Sequence, residues 1–210
     1  LNINEGVKIF FKEDSTLFSE GSISFNGSKK KPILVYSDNG NGSLILSNND
    51  YTFKNVIFQN LSFPKNTDKI LYGGINIINS NLNMKDIEII DSNSEDAINI
   101  ISSKSYIQNL AINNTTADAI DIDFGELVFE NIFCKNILND CLDVSGGKIK
   151  GKDLRTINIK DKGLSFGENS TGSLSNINFD NNKLAIAIKD GSELSLSKYT
   201  LTNNKYDIAV

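Results

Sequence analysis

Apolar and polar residues alternate along most of the chain, and in its second half the alternation recurs at a fixed interval. The phrases beginning at Ala97, Ala119, Cys141, Gly163, Ala185 and Asp207 read Ala-Ile-Asn-Ile, Ala-Ile-Asp-Ile, Cys-Leu-Asp-Val, Gly-Leu-Ser-Phe, Ala-Ile-Ala-Ile and Asp-Ile-Ala-Val, each 22 residues after the last. Within a unit the period is two: Ile120 and Ile122 point one way, Asp121 and Asp123 the other. That is strand geometry, not the 3.6-residue period of a helix. About a dozen residues on, each unit has a second apolar run, such as Ile107/Leu110/Ile112 or Phe129/Ile132/Cys134. Asn residues stand between the runs (Asn114, Asn136, Asn181, Asn203), and Asn tolerates the left-handed backbone of tight corners.

Short strands bent at Asn or Gly corners, repeating every 22 residues with no helical pattern, predict an all-β fold, a parallel β-helix solenoid. Neither the leucine-rich phrase nor the Gly-rich calcium-binding nonapeptide occurs. We expect one domain over residues 1–210, with regular coils over 74–210 and wider, irregular coils over 1–73. Strands are expected there at Val7–Phe11, Ser22–Phe25, Ile33–Tyr36, Ser43–Leu46 and Val56–Phe63. Loops are expected at 38–42, read as a plain turn, and at 64–68.

Composition narrows the chemistry. The chain has 210 residues, a net charge of −5 and no His, so His-dependent nucleophiles, proton shuttles and zinc sites are excluded. A nucleic-acid partner is not expected without a basic footprint, and nothing approaches a membrane span. Two cysteines, Cys134 and Cys141, are expected as buried, unpaired thiols. The start, Leu1-Asn-Ile-Asn, reads as a mature form or a piece of a longer chain. The last residues read as a strand beginning, so pairing through an exposed C-terminal coil is a further expectation.

Stacked coils lie about 4.8 Å apart, so residues of like phase become neighbours. One outward column then reads Asn99, Asp121, Asp143, Ser165, Ala187, and the next Ile101, Asp123, Ser145, Gly167, Lys189. The corner before them reads Asp96, Asp118, Asp140, Lys162, with Glu168 and Asp190 just after the strands. Like charges about 5 Å apart repel by roughly 0.8 kcal/mol in water and about 3 kcal/mol near a protein surface. Clustered carboxylates serve acid chemistry, Ca²⁺ binding or capture of a cationic group. Asp121, Asp123, Asp143, Glu168, Lys189 and Asp190 are therefore candidate ligand-binding residues. Asp121 and Asp143 are also candidate Ca²⁺ ligands, Ca²⁺ being the one cofactor considered.

The order Thr116-Ala-Asp-Ala-Ile-Asp-Ile, Asn139-Asp-Cys-Leu-Asp-Val, Lys162-Gly-Leu-Ser-Phe-Gly and Ala185-Ile-Ala-Ile-Lys resembles the polygalacturonase group of glycoside hydrolases. The resemblance covers roughly residues 116–189. It implies a right-handed parallel β-helix of the pectin-lyase-like kind, and a site on successive coils of one sheet. It places Asp118 and Asp140 as water-activating carboxylates, Lys162 at a catalytic His position and Lys189 as a substrate-binding Lys. It also shows departures: Asn139 stands where the general acid belongs, and Ala187 where an Arg belongs. An inverting glycosidase needs one protonated and one ionised carboxyl, so pectin hydrolysis is not expected. The coils are also similar to uncharacterised bacterial β-helix modules of surface or envelope proteins.

Two functions follow as expectations. One is a polysaccharide-interacting β-helix, extracellular or in the cell envelope, that binds directly or through Ca²⁺, with Tyr side chains or Phe124 at the edge for stacking; its catalytic form would be a lyase, epimerase or hydrolase. The other is a structural spacer or assembly module without a small ligand. A deep groove beside Asp118, Asp121, Asp140 and Lys162 favours the first; a flat face with fully ion-paired lysines favours the second.

Overall fold

A computed structural model describes residues 1–65, 67, 68 and 70–210. Twenty strands, all paired in parallel, form two sheets among the described residues, one of eleven strands and one of nine. The chain is the expected right-handed parallel β-helix, about nine turns of about 22 residues. In each regular turn a long strand, such as Lys104–Thr115 or Glu126–Ile137, crosses to a short one, such as Asp118–Asp123 or Lys162–Gly167. Like residues stack in register: Ile98, Ile120, Leu142, Leu164 and Ile186 form one inward column, and each is fully buried. Burial of each such side chain contributes about 1.5–3 kcal/mol, and the column is continuous through the molecule.

The second apolar run of each unit steps by three, as from Ile107 to Leu110, because a left-handed residue lies between. Asn109, Asn131 and Asn176 have φ of 58°, 62° and 54°, and each bends its long strand without breaking it. A second bend ends the long strands at Asn114, Asn136, Asn158 and Asn181. There the amides form a ladder: Asn136 Nδ2 donates to Asn114 Oδ1 at 3.1 Å, and Asn158 Nδ2 to Asn136 Oδ1 at 2.7 Å. Asn thus serves twice, once through its backbone and once as a rung joining coils.

The N-terminal third departs in detail from the expected strands. Short strands also form at Asn2–Asn4 and Thr16–Ser19, and the strand expected from Val56 to Phe63 instead runs from Asp50 to Gln59, bent at Asn55. The loop over 38–42 is the plain turn expected, with Ser37 Oγ accepting from the Asn39 and Asn41 amides at 3.3 and 3.0 Å. Within the loop expected over 64–68, Asn66 lies outside the described residues.

One expectation fails. Cys134 and Cys141 are buried, but they are joined in a disulfide and are not free thiols. Cys134 points inward from the strand Glu126–Ile137 and Cys141 directly precedes the strand Leu142–Ser145, so the turn between them brings the two sulfurs into reach.

Candidate functional site: an acidic face on the short-strand sheet

The columns expected from the repeat are the ladders of the short-strand sheet. Asp96 pairs with Asp118, Asn99 with Asp121 and Ile101 with Asp123. Asp121 then pairs with Asp143 and Asp123 with Ser145, followed by Asp143 with Ser165 and Ser145 with Gly167. Five predicted residues, Asp118, Asp121, Asp123, Asp140 and Asp143, therefore come together on one face. Upstream, Asn76 continues the central column.

One rim is a chain of carboxylates gripping the next coil. Asp118 Oδ1 accepts from the Asp140 amide at 2.7 Å, and Asp140 Oδ1 from the Lys162 amide at 2.8 Å. Lys162 Nζ donates to both Asp140 oxygens, at 3.2 and 3.1 Å, and to the Asp161 carboxylate. Lys183 Nζ reaches the other Asp161 oxygen at 2.7 Å. Desolvation pulls Lys162 down, yet the Asp161 and Asp140 carboxylates prevail and its pKa rises above the ordinary lysine value. A lysine so held stays charged and is no general base; it holds Asp140, which is 1% exposed.

The middle of the face is polar and recessed. Asn99 Nδ2 donates to Asp96 Oδ2 and to Asp121 Oδ2, both at 3.0 Å, so the two carboxyls meet through one amide. Asn99 is 3% exposed and Ser165 fully buried, although both point away from the core. Six buried side-chain oxygens lack a hydrogen-bond partner among the described residues, and three stand in this column: Asn99 Oδ1, Asp143 Oδ1 and Ser165 Oγ. Buried polar atoms are normally satisfied, so this concentration sets the column apart from the rest of the surface.

Burial sets the electrostatics. Desolvation, then like charges nearby, push Asp121 up to about 8, with Asp96 and Asp123 the largest neighbours. Desolvation likewise lifts Asp96 to about 7, against the Asn99 hydrogen bond. Asp118 also rises to about 7, opposed by its bonds to the Asp140 amide and the Asn139 side chain. Asp123 and Asp140 are raised too, by burial first, and Lys162 opposes the rise of Asp140. Near neutral pH much of this face carries protons, and a neutral carboxyl both donates and accepts hydrogen bonds.

The far rim is the left-handed corner that closes each short strand: Phe124, Gly146, Glu168 and Asp190 all have positive φ. Glu168, Lys189 and Asp190 are exposed there, with the Lys189 stem lying against Gly167. Glu168 is near enough to raise Asp123, whereas Lys189 and Asp190 stand at the end of the face. The sequence pattern puts Asp96 and Asn99 in the columns without singling them out, and Asp161 and Lys183 in no column. Neutral Asn99 carries no charge signal, and the Asp161 clamp depends on how its corner turns.

Asp121 and Asp143 are adjacent, but among the described residues no three His, Cys, Asp or Glu side chains are arranged to hold a metal ion. Ca²⁺ takes six to eight oxygens, so Asp121 and Asp143 could supply only part of a Ca²⁺ shell. The larger concavities, about 430 and 600 Å³, lie on the long-strand sheet, beside Asn109 and Tyr106 respectively. Neither is lined by a residue of the acidic face.

No protein-family model and no curated protein matches the chain. Among solved structures, the catalytic domain of a GH87 α-1,3-glucanase in complex with nigerose is similar, with a TM-score of 0.53, 10% identity, and coverage of 99% of this chain and 61% of that one. A variant of that domain with bound tetrasaccharides gives 0.50 at 10% identity and the same coverage. An alginate lyase from a Paenibacillus species gives 0.37 at 13% identity, over 98% of this chain and 92% of that one. This chain spans about three fifths of the glucanase domain. At such identities the likeness is one of fold: the chain shares the parallel β-helix of carbohydrate-active enzymes, and its chemistry rests on its own residues.

Proposed function

We propose that the acidic face binds an uncharged polysaccharide. The observation that carries this reading is the central column Asn99–Asp121–Asp143–Ser165, an outward-facing ladder of polar residues in which Asn99 Oδ1, Asp143 Oδ1 and Ser165 Oγ have no hydrogen-bond partner among the described residues. Asn99 and Asp143 stand two coils apart and Asp143 and Ser165 one, at about 4.8 Å per coil. With the carboxyls beside them that keep a proton near pH 7, this spacing suits a run of sugar hydroxyls. The charge balance argues against a uronic-acid polymer. Even with Asp96, Asp118 and Asp121 holding protons, Asp123, Asp143 and Glu168 remain on the face, and the charge of Lys162 is already held by Asp140 and Asp161. The glucanase complexes of like fold add that such a solenoid can hold a neutral glucan. The disulfide supports an oxidising compartment, hence the cell envelope or outside the cell, where polysaccharides are met.

The test is calorimetry of the whole chain at pH 6 with neutral gluco-oligosaccharides and with oligogalacturonides. The reading expects heat from a neutral sugar, its loss in Asn99→Ala, and none from the uronides. Tighter binding of the uronides would overturn it. Release of reducing ends, abolished by Asp121→Asn, would extend it to hydrolysis. One observation favours the second reading, a structural module: Lys162 is ion-paired with Asp140 and Asp161. Silence of every sugar, with Asn99→Ala no less stable than the parent, would leave that reading standing.

A further inference from the structure

Phe124 occupies a position that the fold does not ask an aromatic residue to fill. It stands at the left-handed corner ending a short strand, with φ of 53°. The same corner in other coils is Asn48, Asn79, Ser102, Gly146, Glu168 or Asp190, all with positive φ. The ladder imposes that conformation: Phe124 N donates to Ser145 O at 2.9 Å, and Ser102 N to Asp123 O at 2.8 Å, so any residue here must adopt it. Small or polar residues do so readily, whereas a bulky one is an outlier held in place by its surroundings. The ring nevertheless packs in a defined way. A Cβ at Gly146 would fall 2.6 Å from Phe124 Cδ1 and 2.8 Å from Cε1, so the ring lies against the bare backbone of the next coil. Phe124 is still 66% exposed, and it directly follows Asp123 at the edge of the acidic face.

A strained residue, a glycine that leaves room for its ring, and wide exposure directly after Asp123 make poor sense as packing. We propose that Phe124 is a stacking platform for one sugar ring of the bound polymer. This rests on the reading of the acidic face as a polysaccharide site. An aromatic ring covers the C–H face of a pyranose, and the column beside it takes the hydroxyls. The direction of the polymer across the acidic face is thereby set, with one sugar over Phe124 and its neighbours over Asp143 and Ser165.

The experiment uses the 210-residue chain and neutral tetrasaccharides linked α-1,3, β-1,3 and β-1,4, followed by calorimetry, with thermal melting alongside. Phe124→Asn keeps the corner conformation and removes the ring; Phe124→Trp keeps an aromatic surface. The expected result is roughly tenfold weaker binding for Phe124→Asn, at a melting temperature no lower than the parent, and retained binding for Phe124→Trp. Equal affinity of Phe124→Asn and parent, with Asn99→Ala still deficient, would overturn the platform and leave the acidic face standing. A clear fall in the melting temperature of Phe124→Asn would make the ring a packing element and also overturn it. Absence of binding by the parent to all three sugars would overturn both proposals.

Discussion

Asp121→Asn isolates the electrostatic cost of the acidic face. Asn has the shape of a protonated Asp and can still accept the hydrogen bond from Asn99 Nδ2, so geometry is kept while the titration is removed. Asp121 titrates at about 8 in the folded chain, against 3.8 ordinarily, with desolvation the first cause and Asp96, Asp123, Asp143 and Asp118 adding to it. Because the folded value lies above the unfolded one, the unfolded chain gives up this proton first as pH rises. Stability is therefore complete below about pH 4 and is lost steadily until about pH 8. At about 1.4 kcal/mol for each pH unit the interval sets an upper bound near 6 kcal/mol. Solvent reaching this half-buried carboxyl screens the ion and reduces the expected gain to about 2–4 kcal/mol. The assay is thermal melting of parent and variant from pH 4 to pH 9. The two proteins should coincide at pH 4, and at pH 9 the variant should melt about 5–15 °C higher. A gap that is absent at high pH, or is the same at every pH, would refute burial as the source of the raised pKa.

Other perturbations follow from the same contacts. Lys162→Met leaves the buried Asp140 carboxylate without its lysine and should cost about 3–5 kcal/mol at pH 8 in chemical denaturation; burial already raises Asp140, so the penalty should fade toward pH 4, and a pH-independent loss would contradict the pairing. Replacing both Cys134 and Cys141 by Ser opens a loop of sequence separation 7 and should cost about 2–3 kcal/mol. Dithiothreitol should lower the parent's melting temperature and leave the double variant unmoved; no effect on the parent would mean free thiols. Asn136→Ala removes a rung between Asn114 and Asn158 and puts a Cβ at φ of 57° without a compensating amide. It should cost about 1–3 kcal/mol, and Asn136→Gly less; equal losses would show that the backbone conformation contributes nothing.

The coils were legible because every 22-residue unit repeats one instruction: two apolar residues in, two polar residues out, Asn at the bend. Ile120 and Asp121 cannot both satisfy that parity in any other stacking, so the ladders Asn99–Asp121–Asp143–Ser165 followed directly. What stayed hidden depends on local geometry between the repeated phrases. The step from Ile107 to Leu110 reads as a broken alternation, although Asn109 bends one continuous strand. Cys134 and Cys141 carry no framework that signals a bond, and only the turn between their strands brings them into reach. Lys162 looks like a free cation at a catalytic position until Asp161, its own neighbour, folds back onto it. Asn99 and Ser165 are uncharged, so their outward burial, which carries the functional reading, leaves no trace in composition.

A crystal structure of the chain with a bound neutral tetrasaccharide tests the central claim most directly. Sugar hydroxyls are expected within about 3 Å of the half-buried Asp121, Asp123 and Asp143 carboxyls, along the ladder that Asn99 and Ser165 flank. Sugar seated instead in the concavities of the long-strand sheet, beside Asn109 or Tyr106, would contradict that claim.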